Sequence, residues 1–260
     1  MWFFLWTNDQ VISYREWVKF SKLFILSALV LVLAACSKVS TSGKESASEI
    51  SPKSFDFSNP TKSAHWESNT PGHGQILAGV PINVVINFNF DLAKPSEISI
   101  KSAGREYGVG ETKIDDTKLA FRRDLDQNAP DGLYTVSYRA CWPDASCHDG
   151  NFQFAIDKSK SQSFEDLRNK SEVTVRLSQI SFKPQTIRIS AGTKVTWVND
   201  DSVDHYINTD SHPAHSYFPD QNSKALMKKD SYSLTFDKAG IYPYHCSAHA
   251  DSMTAMILVD

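Results

Sequence analysis

Near its end the chain reads YHCSAHADSMTAM, Tyr244 to Met256. A thiol, an imidazole and a thioether, Cys246, His249 and Met253, fall within eight residues. All three are soft or borderline metal ligands. Upstream, KVTWVNDDSVDHYINTD sets His205 just past a strand-like run, in a loop rich in Asp and Ser. Two imidazoles, a thiolate and a distant thioether suit a trigonal copper site with a weak axial sulfur. The sulfurs favour Cu(I), the imidazoles serve both oxidation states, and rigid strand ends would limit reorganisation when an electron moves. Met256 competes with Met253 for the axial role, although it opens the closing strand beside Ile257, Leu258 and Val259. DSHPAHSYFPD adds His212 and His215, three apart in a Pro-containing loop. They could form a second, exposed copper-capture site or be plain surface histidines. His245 adjoins Cys246 on a strand, so its side chain should point to the opposite face, away from these ligands.

Short β-strands must position these residues. In 172–260, Val173, Val175 and Leu177 alternate with polar residues, as do Ile187 and Ile189, then Val195 and Trp197. This is the period of a half-buried strand. Gly192 supplies a turn, and SYSLTF, GIYPYHC and AMILVD follow. Seven or eight short strands predict a β-sandwich. A second run of strands occupies 64–157, where PINVVINFNF alternates Ile82, Val84, Ile86, Phe88 and Phe90 against Asn and Val. SEISIKSAG, TKLAFRR, GLYTVSYRACW and GNFQFAID come at short intervals, separated by turn chemistry such as NAPDG. The fold class is therefore all-β, two tandem sandwiches. Residues 158–171, KSKSQSFEDLRNKS, read as a polar linker, and 36–63, rich in Ser, Lys and Glu, as a flexible tether.

The 260 residues are 41% hydrophobic and carry a formal charge of −3. That is ample for two cores and gives no basic tract for nucleic acid. Lys19 and Lys22 precede LFILSALVLVLAAC, an apolar run of about a dozen residues. It is shorter than the roughly 20 residues a membrane-spanning helix needs and suits the core of a signal peptide over 1–35. LAAC resembles a bacterial lipobox, which implies lipidation at Cys36 and an extracytoplasmic protein anchored to a bacterial membrane. The preceding MWFFLWTNDQVISYREWV fits no part of a signal peptide, so translation is expected to begin at a non-AUG codon near Val18. In an oxidising compartment Cys141 and Cys147, six apart between two strand-like runs, are expected to pair. Cys246 is then left as an odd thiol, for which a metal supplies a reason.

Residues 172–260 resemble a plastocyanin-like cupredoxin, a Greek-key sandwich. The matching pieces are FKPQTIRISAGTKVTWVNDDSVDH and SYSLTFDKAGIYPYHCSAH, followed by a Met and a terminal strand. The resemblance implies one type 1 copper held by His205, Cys246, His249 and Met253. Met253 lies four residues beyond the second His, where such proteins usually place it three or five beyond. Residues 64–157 resemble, more weakly, the CopC-like copper-resistance domain, an Ig-like sandwich, through HWESNTPGHGQILAGVPINVVINF and DGLYTVSYRACWPDASCHDGNFQFAID. That resemblance implies a Cu(II) site using His65, His148 and Asp144. It departs from the family in two respects. The family's Asp-x-His is not intact, the loop reading PDASCH with Asp144 as the counterpart, and the family's amino-terminal ligand is missing at an internal His65, for which His73 is a candidate substitute.

The reading that follows is a lipid-anchored copper protein, acting in electron transfer with a redox partner protein. The alternative is copper trafficking or sequestration between a copper donor and an acceptor. In such a cupredoxin electrons leave through the exposed edge of the second His, here His249. No His-x-His pair occurs, so a multicopper oxidase is not indicated and no enzyme activity is expected. The chain is expected to be a monomer.

Overall fold

The computed structural model describes residues 53–260. The expected signal peptide, Cys36 and most of the tether lie outside them. Among the described residues no helix is long and apolar enough to cross a membrane.

Nine strands form the first sandwich: β1 (Trp66–Thr70), β2 (Ile76–Leu77), β3 (Asn83–Phe88), β4 (Ala93–Ser102), β5 (Arg105–Glu106), β6 (Gly108–Ile114), β7 (Ala120–Leu125), β8 (Gly132–Cys141) and β9 (Cys147–Ile156). One sheet has the order β1-β3-β7-β6 and the other β2-β9-β8-β4-β5. The core between them is made by inward positions at alternate residues. Val84, Ile86 and Phe88 of β3 meet Ile98 and Ile100 of β4, Tyr134, Val136 and Tyr138 of β8, and Phe152 and Phe154 of β9. The β8–β9 hairpin pairs Cys141 with Cys147 across the ladder, and the two form a disulfide.

The second sandwich comprises β10 (Glu165–Asp166), β11 (Glu172–Leu177), β12 (Phe182–Lys183), β13 (Thr186–Ile189), β14 (Thr193–Asn199), β15 (Asn208–Thr209), β16 (Ser231–Phe236), β17 (Gly240–His245) and β18 (Thr254–Val259). Its sheets have the orders β12-β11-β14-β16 and β10-β13-β18-β17-β15. Trp197, Phe236, Tyr242, Tyr244 and Phe182 fill its core. The indole N–H of Trp197 donates to the Tyr244 hydroxyl at 3.1 Å, so the buried polar tip of the indole is satisfied.

Three expectations change. The polar run 158–171 is not a free linker, because β10 pairs in parallel with β13 and Leu167 is buried in the second core. The end of the expected tether is ordered against β9: Thr61 bridges Asn151, and the Ser58 N–H donates to Gln153 Oε1 at 2.7 Å. Strand β3 is buried along its whole length rather than on one face.

The reason for the last change is that the two sandwiches pack together within the one compact unit to which the described residues belong. The outward side chains Asn83, Val85 and Asn87 meet the second domain, and Ile82 and Val85 join its core. Ile241 and Leu258 in turn join the first core. The junction is a close backbone approach, with Pro81 bridging Ile241 and the Ile241 N–H donating to Val80 O at 2.9 Å. Gly240, at φ +142°, makes that approach possible. A Cβ there would lie 2.5 Å from Ile82 Cγ2.

Candidate metal centre

Cys246 follows β17, and the parity of that strand decides what it faces. Tyr242 and Tyr244 point into the second core, and Cys246 continues their side, wholly buried. The turn after it is closed by backbone hydrogen bonds. The His249 N–H donates to Cys246 O (2.8 Å), the Met253 N–H to His249 O (2.9 Å), and the Cys246 N–H to Met253 O (2.9 Å). This knot holds His249 on a short 3-10 turn, Ser247–His249. Met253 is 1% exposed and packs in the same core as Cys246, whereas Met256 packs partly buried against the first core.

His205 sits beyond the end of β14 and is brought over by a two-way backbone bridge to Leu226. Buried Asn199 shapes that loop, donating from Nδ2 to Val203 O and Leu226 O, each at 2.8 Å, and accepting the Asp201 N–H at 2.9 Å. The carboxylate of Asp201 lies 3.0 Å from His205 Nε2. Burial raises the Asp201 pKa, but the N–H groups of Ile180 and Gln179 and the His205 ring outweigh it and hold the carboxyl at about 2. An ionised Asp201 takes the Nε2–H, leaving the Nδ1 lone pair to face the thiol. A carboxylate behind a ligating imidazole fixes ring and tautomer in this way at metal sites generally.

The ligand atoms converge. Cys246 Sγ is 3.5 Å from His205 Nδ1 and 3.6 Å from His249 Nδ1. Metal–sulfur and metal–nitrogen bonds of about 2.3 and 2.0–2.1 Å, at angles of roughly 105° to 120°, give sulfur–nitrogen separations of about 3.5 to 3.8 Å. The residues therefore fit a metal ion between them. The Tyr206 N–H lies 3.3 Å from the sulfur, the kind of contact that tunes a thiolate-bound metal. His205 is fully buried, while His249 is partly exposed and lies nearest solvent of the three.

Two family models match the chain. Residues 169–260 match the copper-binding proteins of the plastocyanin/azurin family, and residues 66–157 match the CopC domain. A plastocyanin from Scenedesmus fuscus is 38% identical over 89 residues, which cover 30% of this chain and 88% of that relative. The chain belongs to the plastocyanin/azurin family of copper-binding proteins. Amicyanin-alpha from Methylorubrum extorquens is 31% identical over 75 residues, covering 29% of this chain and 61% of that one. Among solved structures, a purple cupredoxin from Nitrosopumilus maritimus aligns over 34% of this chain and 99% of its own, at 28% identity and a TM-score of 0.30. Copper is thus the metal of this copper-binding protein, and the expected all-β pairing of a CopC domain with a cupredoxin domain is what the chain contains.

The other expected site residues fare differently. His212 and His215 do come together, with His215 Nε2 3.3 Å from His212 Nδ1. His245 points away from Cys246 as its parity requires, but it completes a second group, its Nε2 3.2 Å from His215 Nε2. Burial, and then the neighbouring His245 and His212 rings, lower the His215 pKa to about 4. His65 stacks on Phe90, and both His65 and His148 lie edge-on to Trp142, at centroid distances of 5.2 and 5.3 Å. Asp144 accepts the N–H and hydroxyl of Ser146 within its turn, which holds its carboxyl below the usual range. His73 Nδ1 accepts the Gln153 N–H. Among the described residues, three or more donors converge only at the two second-domain groups, so the first-domain candidates are not gathered into such a set. Sequence reasoning missed Asn199, Asp201 and Asp210. The acid-rich NDDSVDH, with Asp201 four residues before His205, was the available signal for the first two.

Proposed function

We propose that this protein is a one-electron carrier whose type 1 copper site is formed by His205, Cys246, His249 and axial Met253. The observation that carries the reading is the convergence of two imidazole Nδ1 atoms, at 3.5 and 3.6 Å, on one buried thiol. Copper bound there supplies a Cu(II)/Cu(I) couple. Cys246 gives the sulfur ligand, and the Asp201–His205 pair fixes one imidazole. The closed turn from Cys246 to Met253 holds the other, so the ligands have little freedom to rearrange between oxidation states. Met253 rather than Met256 would supply the thioether donor, because it shares the core of Cys246. The partly exposed ring of His249, flanked by the small residues Ala248 and Ala250, is the electron port. Electron-transfer partners dock on small, weak interfaces, and a port of this size suits a redox partner protein. The lipobox-like LAAC ending at Cys36 supports a carrier outside the cytoplasm, tethered to a membrane by lipid.

Copper trafficking is the second reading, favoured by the CopC match at 66–157 and by the second histidine group. The two differ in exchange. A carrier of electrons keeps its copper through many redox cycles, whereas a copper carrier gives it up to an acceptor. The test is the visible spectrum of the Cu(II)-loaded protein, taken with repeated ascorbate and ferricyanide cycles. An intense thiolate-to-copper band that returns in full each cycle is expected, and Cys246→Ser should abolish it. A colourless Cu(II) form, or colour surviving Cys246→Ser, would overturn the assignment. Steady loss of copper to a chelator during cycling would favour trafficking.

A further inference from the structure

We propose that His212, His215 and His245 form a second metal site, a three-imidazole site for Cu(II) that the first domain helps to build. The inference does not depend on the Cys246 assignment.

Geometry is the first argument. One ring nitrogen from each of the three histidines lies within 4.8 Å of the other two, and His215 Nε2 is 3.2 Å from His245 Nε2 and 3.3 Å from His212 Nδ1. Imidazole–metal bonds of about 2.0–2.1 Å at near-tetrahedral angles give nitrogen–nitrogen separations of about 3.3 Å. Orientation is the second argument. His245 Nδ1 is 2.8 Å from Asp210 Oδ1, so its Nδ1–H is spent on the carboxylate and its Nε2 lone pair faces the other rings. This repeats the Asp201–His205 arrangement with the ring nitrogens exchanged. Convergence on one atom is the third. His215 Nε2 is the nitrogen that both other rings approach, and it also lies 3.0 Å from the Ser247 hydroxyl oxygen, whose proton goes to Asn208 Oδ1.

Accessibility fits an open site. His245 is buried, His215 half-buried and His212 exposed, so the group presents one side to solvent. Three protein ligands with a free position can take a water or a small exogenous ligand. Copper is the ion of choice because imidazole sites bind Cu(II) more tightly than other divalent first-row metals.

The first domain supplies the clamp. Asn87, 1% exposed on the outer face of β3, donates to Ser211 Oγ at 3.1 Å and accepts the Ser216 hydroxyl at 2.6 Å. Ser68 of β1 is 2.8 Å from Ser211 Oγ. The segment bearing His212 and His215 is thus gripped at both ends by a different domain. His245 and Cys246 are chain neighbours on opposite sides of one strand, so a single peptide unit would separate the ligands of two copper ions.

The test is Cu(II) titration of the full chain, with copper counted per chain and followed by electron paramagnetic resonance. Two coppers per chain are expected, the second adding an imidazole-nitrogen signal and no thiolate band. The double variant His212→Ala, His215→Ala should hold one copper and keep the thiolate band, which also reports that it folds. In Cys246→Ser the converse is expected, with the imidazole signal alone. Asn87→Ala should weaken the second copper by roughly tenfold or more, as loss of outer support does elsewhere. One copper in the wild type, or two retained in the double variant, would overturn the site. An unchanged second affinity in Asn87→Ala would overturn the role of the first domain. Displacement of the second copper by about a tenfold excess of Zn(II) would overturn the choice of metal.

Discussion

At the scale of single residues, both histidine-bearing sites depend on carboxylates that would touch no metal. Asp201 lies behind His205 and Asp210 behind His245, at 3.0 and 2.8 Å. Each selects which ring nitrogen is left with a lone pair, and so each selects the ligand atom. Asp201→Asn removes the charge while keeping the shape. Outer partners of ligating histidines contribute one to two orders of magnitude in affinity. Copper affinity at the Cys246 site should therefore fall about 10- to 100-fold, with the thiolate band retained. A competition titration against a chelator of known affinity measures this, and unchanged affinity would show that His205 is held by the loop alone.

Two strands act as elements with two working faces. In β17, Tyr242 and Tyr244 face the second core, as does Cys246 just beyond its end, while Ile241 and His245 face the other way. In β3, Val84, Ile86 and Phe88 belong to the first core, while Asn83 and Asn87 hold the second domain. A slip of one residue in either strand would exchange its faces, so its register is strongly specified. The β8–β9 hairpin has a local lock instead, Cys141 to Cys147, across a separation of 6. In the chain-entropy model so short a loop contributes about 2 kcal/mol. The pair of changes Cys141→Ser and Cys147→Ser should lower unfolding stability by about that amount and leave the thiolate band unaltered, as read by urea unfolding alongside the visible spectrum. A bleached band would mean that the hairpin acts on the copper site through the domain contact.

Across the whole molecule, Tyr217 ties the sandwiches together. Its buried hydroxyl donates to Ile241 O at 2.7 Å and accepts the Ile82 N–H at 2.8 Å. Burial pushes its pKa well up, and burial also raises Tyr134, Tyr242 and Tyr244. In the unfolded chain each titrates near about pH 10. Above that pH the unfolded state holds fewer protons than the folded one, so stability, fully present below pH 10, must fall as pH rises toward the folded values. Urea midpoints between pH 8 and 11 should show the decline. Tyr217→Phe should make it shallower while costing about 1–3 kcal/mol at pH 8 for the unpaired Ile82 N–H and Ile241 O. An identical slope in the variant would exclude Tyr217 from the effect.

Much was legible in the sequence because it is local. Period-two alternation marked the strands, and the Cys246–His249 spacing with its neighbouring Met253 pointed to a candidate copper donor set. The short separation of Cys141 and Cys147 marked a hairpin lock. What remained depended on which surfaces meet. Nothing in PINVVINF says that its polar Asn positions are buried, since an Asn facing water and an Asn facing another domain look alike in one strand. The same holds for His245, whose direction followed from parity while its partners, His212 and His215, arrive from a loop some thirty residues earlier. Strand period and ligand chemistry are properties of a few neighbouring residues, so the sequence by itself determined the two sandwiches and the Cys246 donor set. The domain contact and the three-histidine group are made by side chains far apart along the chain, and only the tertiary structure decided them.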